Sequence, residues 1–158
     1  MSDKALRQQL AANLQKAQAH ASMEHALKDI PFELLGNTEH GLPYSIWQLA
    51  EHIRIAQWDI LDFSRNKNYK ELKWPDDYWP KEKTPKDVQE WKGCVSAIFK
   101  DLNEFIALIE DEKNDLYTPF SWGSGQNLLR EALILADHNT YHTGEIVLAR
   151  KLLGEWKS

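Results

Sequence analysis

The sequence predicts an all-α protein, a four-helix bundle with a long crossover between its second and third helices. Three observations predict it. Apolar residues recur at helical spacing over four stretches of the 158-residue chain. No sustained alternating run of β-branched residues competes as a strand. Segments containing Gly or Pro separate the stretches, and one is long enough to cross a bundle. The whole chain, 1–158, reads as a single domain, large enough to bury a core without staples.

The first helical stretch runs from about Lys4 to Asp29. It is rich in Ala, Leu, Gln, Lys and Glu and free of Gly and Pro. Leu6, Leu10, Ala17, Ala21 and Leu27 give it a loose apolar face. Ser22 can start a separate turn, so a break near His20 is expected as an alternative to one continuous helix. Pro31 disfavours helix at Ile30, and residues 36–44, with two glycines and a proline, read as a loop.

The second helix starts at Ser45, an N-cap with Gln48 three residues on as a capping box. Ile46, Leu49, Ile53, Ala56, Ile60 and Phe63 carry its period to about Arg65. His52 lies at the edge of that stripe. Residues 66–83 show no helical period but hold Trp74-Pro75-Asp76-Asp77-Tyr78-Trp79-Pro80. Three large aromatics in a connection predict an ordered crossover lying against the protein. Trp74, Tyr78 and Trp79 serve there as packing or as walls of a substrate pocket.

The third helix is expected to start with Thr84 as N-cap, Pro85 at N1 and Asp87 as the N3 acid. Val88, Trp91, Val95, Ile98, Leu102, Phe105 and Ile109 form its stripe. Cys94 reads as a small core filler. The fourth helix, Leu128 to Leu153, ends before Gly154 with Arg150 and Lys151 in its last turns. Residues 113–126 before it form a loop.

The fourth helix carries His138-Asn139-Thr140-Tyr141-His142. Residues four apart share a helix face, so both imidazoles can reach one ion. They fall with Leu128, Leu135, Ala149 and Leu153, and buried imidazoles need hydrogen-bond or metal partners. The spacing fits core histidines as well as ligands. Asn139 stands where a zincin HExxH needs its glutamate. A metal site requires a third ligand from another helix.

Composition narrows the function class. The net charge of −5 and pI near 5.7 argue against nucleic acid, which needs a basic surface. No apolar run approaches a membrane span, and no secretory leader is visible. The single Cys94 excludes an intrachain disulfide and a thiolate-rich cage. The expected setting is cytoplasmic, without a nucleic-acid or membrane partner.

Tyr44-Ser-Ile-Trp-Gln-Leu-Ala-Glu-His52 on the second helix and Asp137-His138-Asn139-Thr140-Tyr141-His142 on the fourth resemble signatures of the DinB-like superfamily. The WP-x-x-YWP crossover and the lead-in Gly123-Ser-Gly-Gln-Asn-Leu-Leu-Arg-Glu131 resemble one branch of it. The resemblance implies a DinB/YfiT-like bundle holding a divalent metal on His52, His138 and His142. His52 is selected by the resemblance and not by spacing. Three neutral imidazoles suit Zn, Ni, Fe or Cu over Mg or Ca, with Zn or Ni the first expectation and Fe after them. Three protein ligands leave positions open, and a bound water or thiol loses its proton far more readily than when free.

The resemblance also implies a cofactor-activated low-molecular-weight thiol, such as bacillithiol or mycothiol, as a small-molecule substrate of a metal-dependent S-transferase. It implies a homodimer, for which Trp58 or Trp122 are candidate surface aromatics. Glu145 stands where this branch often carries Gln, about 20° from His138 on the wheel. Its candidate roles are a fourth ligand, an acceptor for an imidazole N–H, a catalytic acid or base, and an ion-pair partner. Glu131 reads as a structural partner of an arginine. Two other readings stay open: a metal-dependent hydrolase, and a non-enzymatic, stress-associated metal-binding scaffold. A pocket open to the metal speaks against the scaffold.

Overall fold

Five helices carry the chain in this computed structural model, which describes residues 3–16 and 18–156. They are α1 (Lys4–Gln15), α2 (Met23–Leu27), α3 (Ile46–Arg65), α4 (Val88–Glu110) and α5 (Leu128–Leu152). No strand occurs among the described residues. The four long helices make the expected bundle, and α2 is an extra turn. The break near His20 is real: α1 stops at Gln15, and the Ser22 hydroxyl caps α2 by accepting from the His25 N–H at 3.1 Å. Ala17, expected on the apolar face, lies outside the described residues.

α3 packs against α4 and α5, and α1 packs against the same two. Thus α1 stands opposite α3, and α4 opposite α5. Two core clusters give the directions. One joins Ile46, Leu49 and Ile53 of early α3 to Trp91, Cys94 and Ile98 of early α4 and to Ile146 and Ala149 of late α5. The other joins Leu61, Phe105 and Ile109 of the later halves to Leu128, Ala132 and Leu135 of early α5. So α3 and α4 run the same way and α5 runs against both. Parallel neighbours cannot be joined by a tight turn, which is why residues 66–87 must travel back along the bundle.

Local chemistry fixes the ends. Ser45 and Gln48 form both bonds of the capping box, at 3.2 and 3.1 Å. The Ser45 hydroxyl also donates to the Lys83 carbonyl at 2.5 Å. α4 differs from expectation. Its cap is Asp87, whose carboxylate accepts from the Glu90 N–H at 2.8 Å, and not Thr84. The chain at 83–85 is held by contacts elsewhere: Lys83 by Ser45, and Pro85 by burial. The helix therefore begins a turn later, and Val88, expected in the core, is exposed. α5 ends in a Schellman motif, with Gly154 at φ 76° and the Glu155 N–H bonded to the Arg150 carbonyl at 2.9 Å.

Two buried arginines tie the ends together. Arg7 donates to the carbonyl of Ile109 in the last turn of α4 and to those of Asp111 and Asn114 beyond it. Arg150 does the same for His25 and Ala26 of α2 and for its C-cap Lys28. Both satisfy carbonyls that a helix end leaves without partners. Cys94 is buried as a core filler, and burial pushes its thiol pKa up. No described helix is long and apolar enough to cross a membrane.

Candidate metal centre

Between the two apolar clusters α3 and α5 face each other with polar side chains. His52 of α3 and His138 and His142 of α5 meet there, with one ring nitrogen from each lying within 4.8 Å of the others. His52 and His142 are buried and His138 is half-buried. The edge position that the sequence suggests for His52 underestimates its burial, because the crossover covers it.

Each ring is oriented by what its other nitrogen touches. His52 Nδ1 donates to the Tyr78 carbonyl at 2.8 Å, which leaves Nε2 for the centre. The His52 ring lies flat on Trp79, centroids 3.9 Å apart and planes within 3°. Trp79 in turn stacks on Tyr44 at 4.2 Å. His142 Nδ1 lies 2.6 Å from the Glu145 carboxylate and donates to it. His138 Nε2 points at His52 Nε2, 3.0 Å away. Its Nδ1 is buried without a hydrogen-bond partner.

This arrangement fits a transition-metal ion. Burial, followed by the neighbouring imidazoles, lowers the pKa of His138 to about 4. Burial and His52 lower that of His142 to about 4. Burial is also the main cause lowering that of His52. Three neutral rings at pH 7 present three lone pairs. Nitrogens at the corners of a zinc tetrahedron stand roughly 3.3 Å apart, so only small adjustments separate this cluster from a coordination set. Magnesium or calcium would want oxygen donors that the cluster does not offer.

A pocket of about 390 Å³ opens onto the three histidines. Its other walls are Ala56, Asp59 and Ile60 of α3 and Trp74, Tyr78 and Trp79 of the crossover. All three crossover aromatics thus line the pocket, and Tyr78 and Trp79 also hold His52. Asp59 anchors that wall: its two carboxylate oxygens accept from the Tyr69 and Tyr78 hydroxyls at 2.8 and 2.7 Å. Burial raises the Asp59 pKa, and the two phenols beside it are raised as well.

Glu145 joins the site through His142 and is not among the three convergent ligand residues. Its pKa is raised, chiefly by burial. Glu131 is buried and accepts from Arg130 at 2.6 Å, the structural arginine partnership expected of it. Glu51 is bound to Arg54, Asp137 is exposed, and His20, His25 and His40 lie away from the triad. Trp58 is exposed, whereas Trp122 donates to the Phe63 carbonyl and stacks on Phe120.

Sequence reasoning missed Asp59, Gln57, Asn139 and the Tyr78 carbonyl. A backbone acceptor leaves no sequence signal. Asn139 does leave one, a polar side chain on the buried face of α5 between Leu135 and Ile146.

The family model of the DinB superfamily matches residues 15–146, a span holding the three histidines and Glu145. No curated protein and no solved structure matches the chain.

Proposed function

This chain belongs to the DinB superfamily, and from that premise we propose a metal-dependent S-transferase that joins a low-molecular-weight thiol to an electrophile. The observation that carries the reading is a pocket ending on three neutral, converging imidazoles. A closed structural site would offer four protein ligands and no approach. Zn or Ni suits the donor set best, with Fe after them. A bound ion of this kind supplies Lewis acidity, which lowers the pKa of a coordinated thiol or water.

The protein's own residues do the rest. Tyr78 and Glu145 hold two rings in one tautomer through their Nδ1 atoms. The crossover aromatics exclude water from one side of the site and offer flat apolar surface to a substrate. Among the described residues no Lys or Arg lines the pocket, and both oxygens of Asp59 are already engaged. That wall chemistry favours a small uncharged electrophile. Glu145, whose pKa burial raises, sits beside His142 where it can assist proton transfer.

Elemental analysis of tag-free protein, wild type beside His138→Ala, is the test. Expected is about one transition metal per chain, lost in the variant, followed by thiol-dependent consumption of uncharged electrophiles. Water-dependent turnover without thiol would point to a hydrolase. Metal-loaded protein that neither binds thiols nor turns over would leave the scaffold reading.

A further inference from the structure

His138 is the ligand whose second nitrogen has no partner, and Asn139 beside it has the complementary deficit. Asn139 is buried, and its Oδ1 lacks a hydrogen-bond partner, as does His138 Nδ1. A buried polar atom left unpaired is costly, so two of them on consecutive residues call for an explanation.

The Asn139 amide is not free to turn. Gln57 is fully buried and donates through Nε2 to the Ile98 carbonyl of α4 at 2.5 Å. Only its Oε1 then remains for Asn139, whose Nδ2 donates to it at 2.8 Å. That order of donors and acceptors fixes Asn139 Oδ1 as an acceptor waiting for a proton.

We infer that Asn139 is a positioning residue, and that its Oδ1 accepts from His138 Nδ1–H to hold Nε2 toward the metal centre. This inference rests on the metal-centre reading. Each histidine then has one outer partner: a carbonyl for His52, a carboxylate for His142 and an amide for His138. The relay runs from the Ile98 carbonyl through Gln57 and Asn139 to His138, so it couples α4, which gives no ligand, to the centre. The competing partner is water. Asn139 also lines a separate cavity of about 150 Å³ beside the α1–α2 break, and a water there would serve the same oxygen.

The test uses the full chain and two probes. Zn²⁺ and Co²⁺ affinities are measured by chelator competition for wild type, Asn139→Ala, Asn139→Asp and Gln57→Leu. Long-range ¹H–¹⁵N correlation spectra report the His138 tautomer with and without Zn²⁺. Expected for Asn139→Ala is a metal affinity reduced about 10–100-fold and loss of the single Nδ1–H tautomer. Asn139→Asp keeps the acceptor toward His138 but loses the donor to Gln57 Oε1, so it should retain the Nδ1–H tautomer and lose less affinity than Asn139→Ala, with lowered thermal stability; Gln57→Leu should show a smaller loss in the same direction. A purely structural amide would lower thermal stability while leaving tautomer and affinity in the folded protein unchanged, and that result overturns the inference. A wild-type His138 carrying its proton on Nε2 in the Zn-free and Zn-treated samples would also overturn it. If wild type binds no metal at all, the metal-centre reading fails. The tautomer spectra of Zn-free wild type and Asn139→Ala still decide whether Asn139 holds His138. Should Asn139→Ala fail to fold, Gln57→Leu and the wild-type tautomer decide.

Discussion

Glu145 is the residue where positioning and proton transfer can be separated. Its carboxylate lies 2.6 Å from His142 Nδ1, and a glutamine there keeps an acceptor without a base. Glu145→Gln is therefore expected to hold metal within a few-fold of wild type, while Glu145→Ala loses about 10–100-fold. If proton transfer also matters, Glu145→Gln lowers kcat at unchanged metal content. Metal titration beside steady-state rates distinguishes the two. The histidines themselves predict a pH dependence. His138 and His142 have folded pKa values lowered to about 4 from 6.5. Between those values the unfolded chain binds the additional protons, so metal-free protein loses stability as pH falls from 6.5 toward 4. Asp59, Glu131 and Glu145 have raised pKa values and act in the opposite sense on acidification. Comparing the pH dependence of Tm for wild type and His138→Leu/His142→Leu isolates the histidine part, which should flatten in the variant.

At the scale of the element, the crossover decides whether the site exists. It gives His52 its acceptor and its stacking partner, yet it has no regular hydrogen-bond ladder of its own. Asp59 compensates by holding Tyr69 and Tyr78 from one carboxylate. Asp59→Ala leaves two phenols without that acceptor, at a cost of about 1–3 kcal/mol. It should also weaken metal binding by roughly tenfold, although Asp59 is no ligand. Hydrogen exchange should rise across residues 67–80 in the variant. Unchanged exchange there with lost metal would instead place Asp59 at the centre itself. Much of this architecture was legible in the sequence. The Ser45 box, the stripe of α3, that of α4 from Trp91 onward, and the α5 boundaries follow from local spacing, and the structure keeps them. Thr84 misled because Thr-Pro-x-Asp is a sound local start, whereas contacts to α3 hold that backbone. His52 illustrates the same limit. Its burial depends on Trp79, a residue 27 positions on whose placement no helical period records.

For the whole molecule, the distribution of apolar surface raises the question of a partner. α5 buries Leu128, Ala132, Leu135, Ile146 and Ala149 toward the bundle, yet Ile134, Tyr141, Leu148 and Leu152 are exposed on its outer side. Ile134, Tyr141 and Leu148 are spaced by seven, so they form one stripe along the helix. Leu152, four residues on from Leu148, extends it; isolated surface apolars need no explanation, but a stripe of four does. A second copy of the chain is the partner whose matching stripe is guaranteed, through a two-fold pairing of like helices. Tyr141, 64% exposed, meets His142 edge-on at 4.9 Å. Pairing along α5 would therefore cover the outer side of the metal centre and restrict Glu145. The prediction is a dimer by light scattering at micromolar concentration, converted to monomer by Leu148→Glu. Because Leu148 is neither a ligand residue nor part of the pocket wall, the monomer should keep its metal. A wild-type monomer would mean that the stripe is simply exposed. A dimer untouched by Leu148→Glu would move the interface elsewhere, with exposed Trp58 on α3 the next residue to change.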